Sequence, residues 1–228
     1  VLLQHHRIER PAGGMHSCHE HNEQTRIGLA LGLLQQGHDI ALVSDAGTPA
    51  ISDPGFRLVR AVREAALPVV PIPGASAVTA ALSASGLPTD RFTFAGFPPK
   101  KAGARKKFLE ELTDAPGTLV LYVAARDVPG VLTDLQAVRP GSEIAVFREI
   151  TKRFEECLRG SAEEVLAAWD ESVGKGEVTL LAGPVVATEW TDEALNALLD
   201  GGQTPAEIAR DCGVSKRRVY QLKINRPK

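Results

Sequence analysis

Two short apolar runs, each ending in a turn-rich loop that leads into a helical pattern, constrain this chain more than any other feature. The first is Asp39–Ser44, with Ile-Ala-Leu-Val at its centre, running into Ser-Asp-Ala-Gly-Thr-Pro. The second is Pro68–Ile72, running into Pro73-Gly74-Ala75-Ser76. Short continuous apolar runs of this kind read as parallel strands covered on both faces. Ligands of open α/β sheets bind beyond the carboxyl ends of the strands, so both loops are candidate ligand loops. A helix is expected ahead of the first strand, where Ile27, Ala30, Leu31 and Leu34 recur at helical spacing and Gly37 supplies the C-cap. Further helices are expected after each loop, over 55–66 and 77–85.

Beyond Gly86-Leu87-Pro88-Thr89 the pattern changes. Arg91–Phe97 alternates as a strand opening a second sheet would, which puts a domain junction there. Helices are then expected over 104–113, 128–137 and 161–169, and strands over 118–123, 143–149 and 176–182, with an irregular charged stretch after 149. The resulting division is an N-terminal α/β domain over 1–90, a C-terminal α/β domain over 91–184 and a helical module over 185–228. In that module Thr204-Pro205 reads as an N-cap followed by Pro at the first helical position, Gly213 as a turn and Ser215 as a second N-cap. Ala209 and Gly213 stand where a helix-turn-helix needs a close-packed residue and a turn, and the second helix carries Lys216, Arg217, Arg218 and Tyr220. Taken alone, such a unit would suggest a DNA-binding regulator.

Composition narrows the class. With 43% hydrophobic and 24% charged residues in 228, the chain is an ordinary globular α/β protein. A net charge of −2 excludes a polycation, so any grip on nucleic acid must come from local patches. Cys18, Cys157 and Cys212 are odd in number and widely spaced, which suits free thiols in a reducing cytoplasm. No window reaches the roughly 18 apolar residues of a spanning helix, and the start at Val1 shows no secretory pattern, so a cytoplasmic protein with no membrane partner is expected.

The segment Ser44–Gly55 gathers turn formers, hydroxyls and two carboxylates directly after a strand. Gly47 allows close approach of backbone to a ligand, and Asp45 can accept hydrogen bonds from hydroxyls or an ammonium group. A turn capped by Asp and Thr would explain the same residues. Neither a Gly-Lys-Ser/Thr phosphate loop nor a Gly-x-Gly-x-x-Gly fingerprint is present. The basic run Lys100, Lys101, Arg105, Lys106 and Lys107, beside Phe97, fits either a solvated helix face or contacts to phosphate. His5, His6, His16, His19 and His21 with Cys18 lack metal-ligand spacing, and no metal site is expected.

The run VSDAGTPAISDPGFRLV, followed by VVPIPGASAVTAALSASGLPTDRFTFAGFPPKK, resembles the tetrapyrrole methylase superfamily, and within it the ribosomal RNA small subunit methyltransferase I branch. FREITKRFEECLRGSAEEVLAAW and KGEVTLLAGP resemble later blocks of that branch, and His19-Glu20-His21-Asn22-Glu23 resembles an earlier one, so the likeness runs from Glu20 to Gly183. It implies a two-domain tetrapyrrole-methylase-like α/β fold with a C-terminal helical, helix-turn-helix-like module. It also implies a homodimer with S-adenosylmethionine in the cleft between domains, methylating a cytidine ribose 2′-oxygen of 16S rRNA in the small ribosomal subunit. On that likeness Asp45, Gly47, Thr48, Ile51, Ser76 and Ala77 contact the cofactor. Lys100, Lys101, Arg105, Lys106 and Lys107 are expected to contact RNA, and the tail with Lys216, Arg217 and Arg218 to aid either rRNA docking or protein packing.

Two departures accompany the likeness. Family members open with a strand, a Thr-Pro-Ile-Gly-Asn-like loop and a helix that do not precede the matching part here, and Val1 is not Met, so the chain is expected to start inside a longer product. Members also carry Tyr-Glu-Ser-Pro-His-Arg where this chain has Tyr122-Val123-Ala124-Ala125-Arg126-Asp127. Methyl transfer from a sulfonium rests on proximity and alignment, but a ribose hydroxyl is a poor nucleophile and calls for a base or a polarising cation. Glu149 and Lys152 are the candidates for that role, and a solvated strand end is the plain alternative reading. The competing functions are methylation of a tetrapyrrole ring and a non-catalytic RNA- or DNA-binding paralogue.

Overall fold

The apolar runs of the second half assemble as the sequence implies, and those of the first half do not. The computed structural model describes residues 2–9, 14–170, 175–185, 190–212 and 214–224. Its helices are α1 (Leu2–His5), α2 (Glu23–Gln35), α3 (Phe56–Glu64), α4 (Ala77–Ser85), α5 (Ala102–Glu110), α6 (Val128–Val138), α7 (Ala162–Ala168), α8 (Asp192–Asp200), α9 (Pro205–Asp211) and α10 (Lys216–Ile224). Its strands are β1 (Phe92–Phe94), β2 (Thr118–Ala124), β3 (Ile144–Arg148), β4 (Glu156–Gly160) and β5 (Glu177–Ala182).

The strands form a sheet in the order β1-β2-β5-β3-β4. β1 runs parallel to β2, and the remaining pairs are antiparallel. Side chains alternate across it, as the two-residue period of a strand requires. Val120, Ala145, Phe147 and Leu181 point to one face and meet Val78, Ala81 and Leu82 of α4 and Leu87. Leu119, Leu121, Val123, Ile144, Val146 and Leu180 point to the other, against Leu109 of α5, Val131, Leu132 and Leu135 of α6, and Val165 of α7. Helices thus cover both faces, which is why β2 and β5 read as almost unbroken apolar runs. The helix α4, which belongs to the first half by sequence, contributes to the core of the second-half sheet.

β4 replaces the irregular charged stretch expected after residue 149. It is an edge strand beside β3, and its Glu-Cys-Leu-Arg-Gly sequence alternates between half-buried and exposed positions. Polar residues on an edge strand disguise it from hydrophobic pattern alone while discouraging edge-to-edge association.

Segments 39–44 and 68–72 carry no strand assignment, contrary to the sequence expectation. A strand exists through its ladder, and among the described residues none pairs with either segment. Val43, Val70 and Ile72 stand 62%, 74% and 80% exposed. The helices on either side do form, around a small core of Ala30, Leu58 and Val62 with Ile27, Leu31, Leu34 and Leu42 against it.

Thr191, Ser161 and Thr204 cap α8, α7 and α9 through their hydroxyls, the last two in reciprocal boxes with Glu164 and Glu207. Leu195, Leu199, Ile208, Ala209 and Val219 bind α8, α9 and α10 into one cluster, and Ser215 accepts from the Arg218 amide at the start of α10. Gly213, the expected turn, lies outside the described residues. Among the described residues no helix is long and apolar enough to cross a membrane.

Candidate active site

The loops after the two extended segments face each other. Thr48 Oγ1 donates to the Ala75 carbonyl at 3.0 Å, a bond that joins two stretches 27 residues apart. Ser44 Oγ folds the first loop on itself by donating to the Ala46 and Gly47 carbonyls. Gly47 has φ +75°, and a side chain there would approach only the Ala75 carbonyl, at 3.9 Å. Ala50 and Ser52 also take positive φ, at 67° and 55°, conformations that non-glycine residues hold only when the surroundings impose them. Asp45 and Ile51 are exposed, so the loop presents a carboxylate and an apolar side chain to solvent.

The second loop ends in Ser76, the N-cap of α4, whose Oγ accepts from the Thr79 amide at 3.5 Å. Ala77 is the first residue of that helix. The amides of a helix's first turn attract negatively polarised oxygen. The phenol of Tyr122 on β2 lies beside one of them, the Val78 amide. Burial pushes the Tyr122 phenol up, the Val78 amide opposes the rise, and Asp53 and Glu177 add to it. Tyr122 therefore sits between the second loop and the sheet. Its ring lies edge-on to Phe94 at 4.9 Å and tilted to Phe97 at 5.4 Å. A side chain at Gly96 would meet Ser52 Oγ at 3.4 Å, so the first loop packs against the chain just ahead of Phe97. Tyr122 was not legible as a site residue, because an aromatic inside an apolar strand reads as core.

At the end of β3 the chain turns sharply, with φ of 52° at Glu149 and 66° at Thr151. The turn places Glu149 Oε1 3.0 Å from Lys152 Nζ and 3.0 Å from the Glu177 amide, while Lys152 Nζ also reaches Glu177 Oε2 at 3.1 Å. The Glu177 amide and then Lys152 hold the Glu149 carboxyl below its usual range, and Glu149 and Glu177 hold the Lys152 ammonium above its own. Such a pair is fully charged at neutral pH. It suits electrostatic positioning of a polar substrate better than proton abstraction, because a carboxylate of lowered pKa is a weak base.

The basic residues separate into two groups. Lys100, Lys101, Lys106 and Lys107 are exposed. Arg105 is half-buried, bonded through Nε to Asp134 Oδ2 at 2.6 Å and wedged against Gly130. In the tail, Lys216 and Arg217 are exposed, whereas Arg218 is tied to Asp192 Oδ1 at 2.7 Å and to the Trp190 carbonyl at 2.7 Å. Arg105 and Arg218 are thus engaged in holding helices together.

The fold and the paired loops define a methylase of the tetrapyrrole (corrin/porphyrin) class: the model of that family matches residues 2–166. Among solved structures, the methyltransferase CobJ superposes with a TM-score of 0.56 at 20% identity, covering 82% of this chain and 81% of its own. Cobalt precorrin-4 methyltransferase CbiF superposes with a TM-score of 0.51 at 16% identity, covering 77% and 74%. Sequence relatives are closer. Ribosomal RNA small subunit methyltransferase I of Escherichia coli O157:H7 is 44% identical over 98% of this chain and 81% of its own length. The proteins of that name from Synechocystis sp. and Pseudomonas aeruginosa are each 41% identical, over 98% and 99% of this chain and 83% of theirs. The chain belongs to the tetrapyrrole methylase family and, within it, groups with these methyltransferase I proteins.

The methyl donor is S-adenosylmethionine, and the residues present fit it. The exposed Asp45 carboxylate is chemically suited to hydroxyl and ammonium groups, the Gly47 backbone is open to close approach, and the exposed Ile51 side chain is apolar, as a flat aromatic ring requires of its surroundings.

Proposed function

We propose that this chain transfers a methyl group from S-adenosylmethionine to the ribose 2′-hydroxyl of a cytidine in 16S rRNA of the small ribosomal subunit, in the cytoplasm and as a homodimer. What carries the reading is the level of identity, 41–44% over nearly the whole chain, to proteins named ribosomal RNA small subunit methyltransferase I. The paired loops, bonded through Thr48 and Ala75, support it as a cofactor seat.

The donor supplies an activated methyl on a cationic sulfur. The protein's own work is to hold and align. Asp45, Gly47, Thr48 and Ile51 line one side of the seat, and Ser76 and Ala77 line the other. Lys152, kept charged by Glu149 and Glu177, supports the developing oxyanion of the ribose or an adjacent phosphate, Glu149 fixes its direction, and the hydroxyl proton leaves to water, to which the Lys152 side chain is half open. Lys100, Lys101, Lys106, Lys107, Lys216 and Arg217 supply the positive surface on which RNA phosphates rest.

The test is calorimetric titration of the purified chain with S-adenosylmethionine, followed by transfer of labelled methyl to small ribosomal subunits. The reading expects saturable donor binding weakened by Asp45→Ala, and label in a cytidine 2′-O-methyl nucleoside after digestion. Label on a base, or transfer to a tetrapyrrole in place of RNA, would overturn it.

A further inference from the structure

Among the exposed phenylalanines, Phe97 is set apart by what holds it. Phe97 is 60% exposed, yet its ring packs at 5.4 Å on Tyr122, whose own ring is set edge-on against Phe94 at 4.9 Å. Gly96 before it turns with φ +68°, and Pro98-Pro99 after it restrict the chain further. An apolar ring kept in water by a rigid backbone and an aromatic backing is a surface built for stacking. Its surroundings state the partner's charge. Lys100 and Lys101 follow directly and are exposed, and the loop carrying Thr48, Ile51 and Ser52 packs beside Gly96. The ring therefore stands between the candidate cofactor loop and a cationic patch.

We propose that Phe97, backed by Tyr122, is a stacking platform for an unpaired base of the RNA substrate, with Lys100 and Lys101 binding the phosphates that flank it. The inference rests on the rRNA-methylating reading given above. Aromatic side chains beside cations recognise single strands in this way, because every base offers a π-face and every linkage a negative charge. A base stacked on Phe97 has its ribose brought toward the cofactor loop while its phosphates remain over the lysines. Phe97 acts as a binding residue, and Tyr122 as its positioning residue.

The experiment measures methyl transfer to small ribosomal subunits as separate kcat and KM, with donor affinity by calorimetry and thermal melting as controls, for wild type, Phe97→Ala, Phe97→Leu and Phe97→Trp. Loss of one stacking contact weakens binding by roughly tenfold or more. The expected result is a KM for subunits raised by that factor in Phe97→Ala and Phe97→Leu, near wild type in Phe97→Trp, with donor affinity and melting unchanged. Leucine is the decisive variant, since it keeps apolar bulk and lacks a π-face. A Phe97→Leu enzyme with wild-type KM would overturn the platform while leaving the rRNA reading intact, as would a parallel loss of donor affinity, which would mark a cofactor or folding role. Wild type that transfers no methyl to subunits, or that binds a carboxylated tetrapyrrole through Phe97 instead, would overturn both.

Discussion

Glu23 caps a helix that begins more than thirty residues later: its Oε1 accepts the backbone amides of Gly55, Arg57 and Leu58 at 3.1, 2.8 and 3.3 Å. The residue is only 5% exposed, and its charge faces the positive end of α3. The contact fixes α2 to α3 and with them the far end of the loop that starts at Ser44. Glu23→Ala would leave those amides without an acceptor at a cost of about 2–3 kcal/mol. Glu23→Gln, which keeps a carbonyl acceptor, is expected to lose less. Urea unfolding and amide exchange of α3 measure this, and unchanged exchange in Glu23→Ala would contradict it.

Thr48→Val removes the bond to the Ala75 carbonyl while keeping shape. A single neutral hydrogen bond is worth about 1 kcal/mol, so donor affinity should fall by roughly three- to tenfold. Titration calorimetry reads the change directly, with melting temperature expected to move little because Thr48 is exposed.

Arg105 and its neighbours on α5 should behave oppositely. Arg105→Ala strands Asp134, whose side chain is 17% exposed, and is expected to destabilise the packing of α5 on α6 by about 1–3 kcal/mol. Lys106→Ala and Lys107→Ala should leave stability within about 0.5 kcal/mol. Each should weaken subunit binding and lower the slope of log affinity against log salt by about 1 if it contacts a phosphate. Binding measured at several salt concentrations separates the two behaviours.

The Glu149–Lys152–Glu177 cluster gives a pH prediction. Glu149 has a lowered pKa in the folded chain, so its contribution is present above the unfolded value near 4.5 and is lost as pH falls through the lower folded one. Lys152 has a raised pKa, so its contribution is complete below about 10.5 and is lost as pH rises beyond its folded value. Between those limits both are charged. The stability difference between wild type and Glu149→Gln should therefore be flat from pH 6 to pH 9, on the order of the plateau between the two pKa values, and should shrink in acid. A difference that titrates near neutrality would show that the pair is not as drawn.

Legibility followed locality. β2, β3 and β5 were readable because strands covered on both faces are almost continuously apolar, and α9 because Thr204-Pro205 supplies an N-cap followed by Pro at the first helical position. β4 was not, although it pairs with the strand just before it, because an edge strand alternates polar and half-buried residues and carries little apolar signal. Segments 39–44 and 68–72 have strand-like composition but no ladder among the described residues, and composition cannot supply a neighbour. In the site, Gly47 and Thr48 announced a loop. The bonds of Glu23, Arg105 and Arg218 to partners 26 or more residues away left no spacing to read.

The buried guanidinium of Arg139 donates to the carbonyls of Leu112, Thr113, Gly117 and Gly183. It thereby fastens the end of α5, the entry to β2 and the exit of β5 at the end of the sheet remote from the paired loops. A buckle at one end leaves the other end free to vary: loops at the open margin can lengthen, change chemistry or shift around a new substrate while the strands beneath them keep their register. A family that methylates substrates of different kinds on one scaffold would gain from that arrangement, and Arg139 is where this chain is anchored against it.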